Sequence, residues 1–118
     1  MFLILYNMRI DPIIEKHFAQ LVTLCKKYKV QRVYAFGSVV SGGFDKESSD
    51  IDLIVELAPM APLEKGEKLL SLWNDLERLF NREVDLFTDK PIQNPYLKKS
   101  IEATKQLIYE SQSEKISV

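Results

Sequence analysis

Apolar side chains recur along this chain in two rhythms, and the alternation between them lays out its elements. At Asp11-Pro12 an aspartate can cap free amides and a proline suits a first helical turn. Ile14, Phe18, Leu21 and Cys25 then return at spacings of three and four, which predicts a helix with one buried face. Lys26, Lys27 and Lys29 suit the negative end of that helix. Residues 30–36 are rich in β-branched and aromatic side chains and predict a strand, stopped by Gly37. A polar, glycine-bearing stretch covers 38–49. Residues 51–57 are almost continuously apolar, as in a strand covered on both faces.

After a loop over 58–62, whose second proline can open a helix, Leu69, Leu72, Trp73, Leu76 and Phe80 form an inward stripe with Trp73 as a core residue. Asn81-Arg82 turns the chain into a short strand at 83–88. Asn94-Pro95 reads as a cap and first turn, and Tyr96, Leu97, Ile101, Leu107 and Ile108 predict a last helix ending near Glu110. The order is helix, strand, short helix or loop, strand, helix, strand, helix. With no repeat or linker, it predicts one α/β (α+β) domain built on a small central sheet flanked by helices. The expected division is an N-terminal extension at 1–7, the domain at 8–110 and a polar tail at 111–118. The extension is apolar but has no basic region before it and no small-residue cleavage site after it, so it is not read as a signal peptide.

Composition narrows the function classes. A chain of 118 residues suffices for one core, and its 16 Lys and Arg against 17 Asp and Glu leave a net charge of −1. Proteins that track a long nucleic-acid backbone carry a basic excess, so no long polynucleotide partner is expected. No apolar run approaches the roughly 20 residues that span a bilayer, so no membrane partner is expected. Cys25 is the single cysteine, which excludes a disulfide framework and suits a reducing cytoplasm; it is expected as a core residue. His17, the single histidine, is expected on a helix surface rather than as a ligand or base.

The chemistry lies in the acidic residues. Asp50 and Asp52 flank Ile51 at the mouth of an apolar strand and share one face of it. Alone, such a pair reads as readily as a turn cap and a solvated side chain. Asp85 shifts the balance, because it lies between Val84 and Leu86 in the next strand. If the two strands are neighbours, three carboxylates converge and could hold two metal ions, Mg²⁺ by ligand type, for displacement at phosphorus. Asp50 and Asp52 would bridge the ions, and Asp85 would hold the one that activates the incoming hydroxyl. Glu83 and Glu56 are expected at the periphery. Gly37-Ser38, between a buried strand and a helical turn, suits a phosphate approaching the backbone. No P-loop pattern is present.

Taken together, strand–Gly37-Ser38, the linker 39–49, Asp50-Ile51-Asp52 and Asp85 resemble the polymerase-β-like nucleotidyltransferase superfamily, and in size the minimal nucleotidyltransferases (MNT proteins). Asn94-Pro95-Tyr96-Leu97 and Leu107-Ile108-Tyr109-Glu110 look like that family's closing helix. The resemblance implies the family fold, phosphate binding by Gly37 and Ser38, and metal binding by Asp50, Asp52 and Asp85. It implies transfer of a nucleoside monophosphate, AMP from ATP, to a hydroxyl of a partner protein. It also implies a helical HEPN-type toxin as partner, with this chain as antitoxin; a homo-oligomer is compatible with the same reading. Two departures stand out. Residues 39–49 make the linker one longer than usual, and Val39, Val40 and Ser41 stand where many members carry arginines. The lost positive charge keeps a second reading open, an antitoxin that only binds and masks its partner. A structural domain with acidic turn caps is the third.

Overall fold

The computed structural model describes residues 10–111, so the extension expected at 1–7 and the tail beyond 111 lie outside the described residues. Two helices, α1 (Pro12–Lys16) and α2 (Phe18–Lys27), stand where the sequence pattern predicts one. Asp11 caps α1 as expected, its side chain accepting the Ile13 N–H at 2.9 Å. The break falls at His17, whose Nδ1 lies 2.9 Å from the Ile13 carbonyl and whose ring meets Phe80 edge-on at 5.4 Å. This histidine is therefore half-buried against an aromatic neighbour rather than displayed on a helix surface.

β1 (Val30–Phe36), the single-turn helix α3 (Ser38–Ser41), β2 (Ile51–Leu57), α4 (Pro62–Phe80) and β3 (Val84–Phe87) follow in the predicted order. β2 pairs antiparallel with β1 and parallel with β3. On one sheet face, Ile51, Leu53, Val55, Val33, Ala35 and Val84 pack against Ile14, Leu21, Leu72 and Leu76 in the main core. On the other face Ile54 and Phe36 form a smaller cluster with Ile101. Two covered faces account for the consecutive apolar residues Leu53, Ile54 and Val55 in β2. Cys25 sits in the main core at 1% exposure, and burial pushes its thiol up to about 12, so it is inert. Among the described residues no helix is long and apolar enough to cross a membrane.

The end of the chain departs from the prediction. Helix α5 (Pro95–Thr104) is capped by Asn94, which accepts from the Tyr96 and Leu97 N–H groups, but it stops at Thr104 rather than near Glu110. Lys105 takes extended angles (φ −53°, ψ 129°), and β4 (Gln106–Glu110) pairs antiparallel with β1, giving the sheet order β3–β2–β1–β4. Ile101 and Ile108 stand seven apart, a spacing that a helix would also use, so local pattern could not decide. The decision comes from β1, whose second edge would otherwise display unpaired N–H and C=O groups. Arg32 of β1 joins both flanking strands, reaching Glu56 at 2.8 Å and Glu110 at 3.2 Å.

Trp73 is the second departure, at 42% exposure rather than in the core. Its Nε1 donates to the Val84 carbonyl at 2.7 Å. Because β3 is an edge strand among the described residues, the indole satisfies a carbonyl that none of the described strands reaches. Trp73→Phe keeps a ring but removes the donor, and should cost about 1 kcal/mol in urea unfolding followed by circular dichroism. An unchanged midpoint would mean that water serves the carbonyl equally well.

Candidate active site

Asp50 precedes β2 and Asp52 is its second residue. Side-chain alternation sends Ile51 and Leu53 into the main core and Asp52 to the opposite face. Parallel pairing puts Asp52 in register with Asp85 of β3, and in-register neighbours share a face. The Asp52 and Asp85 side chains are within hydrogen-bonding reach, and Asp52 also feels the charge of Asp50. The carboxylates singled out in the sequence thus gather at one end of the sheet. Glu83 is exposed, and Glu56 is occupied by Arg32.

The gathering is incomplete. Among the described residues, no three His, Cys, Asp or Glu side chains are grouped closely enough to hold a metal ion as they stand. The preformed part is the Asp52–Asp85 pair, with Asp85 exposed and Asp50 half-buried beside it. Among the described residues no lysine or arginine forms an ion pair with any of the three. Asp52 is therefore half-buried among like charges, with no ion-pair partner among the described residues. Burial first, then the Asp85 hydrogen bond and charge, then Asp50, push its carboxyl up to about 7.

The strand-to-helix turn lies directly against this carboxyl. Phe36 is the register partner of Asp52, and Gly37 follows it with φ 75° and ψ −147°. That backbone favours glycine, and a Cβ added there would lie 2.5 Å from Asp52 Oδ2. The Gly37 carbonyl accepts from the Val40 and Ser41 N–H groups at 3.0 and 2.9 Å. Its own N–H donates to Thr104 Oγ1 at 2.8 Å, so this amide is already engaged. Val39 and Val40 are buried at 0% and 5% exposure. In this chain those positions serve the core, which is why they carry no arginine.

Two residues near the site escaped sequence reasoning. Arg82 donates to the Ser49 carbonyl at 3.1 Å and the Lys46 carbonyl at 2.6 Å, and its guanidinium lies over the Phe44 ring at 4.8 Å. It props the segment that delivers Asp50, yet in the sequence it reads only as part of a turn. Thr104 reaches Gly37 across the fold, and no local pattern marks it.

Comparison with known proteins gives the family and the fold. Residues 20–108 match the family model for the nucleotidyltransferase domain. Two proteins of Methanocaldococcus jannaschii, both named as protein adenylyltransferases, are 42% and 41% identical over 101 residues, covering 85% of this chain and 93% of each relative. A solved structure described as a minimal nucleotidyltransferase is 26% identical, with a TM-score of 0.61 over 82% of this chain and 95% of that one. A chain from a toxin–antitoxin complex solved with AMP-PNP is 22% identical, with a TM-score of 0.57 over 81% of this chain and 75% of that one, a likeness of fold. The family match runs from α2 into β4 and takes in Gly37, Ser38, Asp50, Asp52 and Asp85. The chain belongs to the nucleotidyltransferase domain family and has the mixed four-stranded fold of a minimal nucleotidyltransferase.

Proposed function

We propose that this nucleotidyltransferase moves AMP from ATP to a hydroxyl of a partner protein, forming a phosphodiester and releasing pyrophosphate, using Asp50, Asp52 and Asp85 beside a phosphate-holding turn at Gly37-Ser38. The observation that carries the reading is Asp52 itself: in register with Asp85, close to Asp50, without an ion-pair partner among the described residues, and pressed against Gly37. A purely structural domain has no use for such a carboxyl. Oxygen donors without a cationic side chain suit a hard divalent ion, so Asp50, Asp52 and Asp85 are the residues that would hold Mg²⁺. When bound, Mg²⁺ would supply the missing positive charge and Lewis acidity for displacement at phosphorus.

The chain's own groups then have distinct tasks. The Ser38 hydroxyl donates to a phosphate oxygen, and the glycine backbone beside it lets the phosphate come close. Asp85, the exposed member of the pair, is open to an arriving hydroxyl and to its proton. A protein acceptor is supported by the names of the archaeal relatives. The toxin–antitoxin neighbour and the sequence resemblance support a HEPN-type toxin as that acceptor, with this chain as its antitoxin. The buried, unpaired Cys25 suits a reducing cytoplasm.

A second reading, a masking antitoxin without turnover, is favoured by the engaged Gly37 amide and by valines in place of arginines. Co-expression with the candidate toxin separates the two. For an enzyme, Asp50→Asn and Asp52→Asn still bind the toxin but fail to restore growth, and the toxin no longer gains the mass of a nucleoside monophosphate. Rescue by both variants, with no mass gain in any sample, would replace catalysis with masking.

A further inference from the structure

The bond between Gly37 and Thr104 joins two segments that are 67 positions apart in the chain. Thr104 is the last residue of α5, and its hydroxyl donates to the Ser100 carbonyl at 2.7 Å. That donation uses the single hydroxyl proton and turns an oxygen lone pair toward Gly37, whose N–H arrives at 2.8 Å. The result is a relay of two hydrogen bonds from the turn, through Thr104, into the body of α5. The position of Thr104 is also fixed from the other side. Lys105 N–H donates to the Ile101 carbonyl at 2.8 Å, and Gln106 pairs with Ala35, two residues before Gly37.

We propose that Thr104 is a positioning residue for the phosphate turn: it holds Gly37 against Asp52 and thereby sets the distance between phosphate site and acidic pair. The Gly37 carbonyl is fixed by α3 and its Cα side by Asp52. The N–H is the remaining handle on this glycine, whose backbone is otherwise free to take several conformations. With the hydroxyl gone, the amide loses its partner and the turn can relax away from the carboxyl. The inference rests on the nucleotide site proposed above, but the bond can be tested without it.

Three proteins are compared at full length: the parent, Thr104→Ser, which keeps the hydroxyl, and Thr104→Val, which keeps the shape. Amide hydrogen exchange at Gly37 reads the latch directly. Calorimetric binding of AMP-PNP with Mg²⁺ reads its consequence. The serine variant should match the parent in both. The valine variant should exchange Gly37 about tenfold faster and bind the nucleotide about tenfold more weakly, as loss of one well-placed hydrogen bond implies. Unchanged Gly37 exchange in the valine variant would overturn the latch. Faster exchange with unchanged affinity would reduce the bond to a structural one and overturn the positioning role. If valine at this place unfolds the chain, Thr104→Ala serves in its stead, with global exchange of the β1 amides as the folding control. Should the parent itself bind no nucleotide, the proposed function fails and the exchange measurement alone judges the latch.

Discussion

Asp52→Asn should abolish nucleotidyl transfer and yet stabilise the metal-free protein at neutral pH. Transfer should fall about 10³-fold, roughly 4 kcal/mol of lost transition-state stabilisation, because the amide no longer supplies negative charge at the centre of the acidic group. The stability effect has the opposite sign. The Asp52 carboxyl sits at about 7 in the folded chain against an ordinary value of 3.8. Between those values the folded state holds more protons than the unfolded state, so stability falls as pH rises from about 4 to about 7. A displacement of that size corresponds nominally to about 4 kcal/mol, and half-exposure screens it to on the order of 1–2 kcal/mol. Asparagine removes the titration and can still donate a hydrogen bond to Asp85. Thermal unfolding should therefore show parent and variant alike near pH 4, with the variant several degrees higher at pH 8. Mg²⁺ with AMP-PNP should raise the parent and leave the variant almost unmoved. A variant that is less stable than the parent at pH 8 would contradict the repulsion inferred at this carboxyl.

Gly37→Ala should be the most damaging single methyl in the molecule. Its backbone angles, φ 75° and ψ −147°, belong to a region nearly restricted to glycine, at a cost of about 1–3 kcal/mol for other residues. The added Cβ would also meet Asp52 Oδ2 at 2.5 Å. Either the turn or the carboxyl must shift, and both belong to the proposed site. Melting should fall by on the order of 10 °C, and nucleotide binding should be lost even where the protein remains folded. The two causes can be separated. In an Asp52→Ala background the collision is gone and the backbone cost remains, so the second substitution should be milder there. Equal losses in both backgrounds would mean that contact with Asp52 contributes nothing.

How far these expectations could be drawn from residues alone differs from one part of the molecule to another. Local rules were enough for most elements. Asp11 and Asn94 cap the helices they were expected to cap, β1 and β2 fall on their apolar runs, and α4 buries Leu72, Leu76 and Phe80. Capping and periodicity act over a few residues, so they survive in sequence. The placement of Asp52 and Asp85 was also legible, because alternation fixes which face each occupies once their strands are neighbours.

The tertiary structure decided where distant segments compete for the same partners. Residues 106–110 carry a pattern that suits helix or strand, and the open edge of β1 made them a strand. Trp73 lies on the apolar stripe, but an unpaired carbonyl at the edge of the sheet drew its indole outward. His17 was pulled inward by Phe80. The same long-range pairing that created β4 carried Thr104 to Gly37 and engaged the amide that the sequence leaves open. Hydrogen-bond satisfaction at sheet edges and turns is settled by whatever the fold brings within about 3 Å, and spacing along one segment cannot record that. The sequence by itself therefore determined which residue types meet at the site, and the fold determined how each backbone and side-chain donor there is already used.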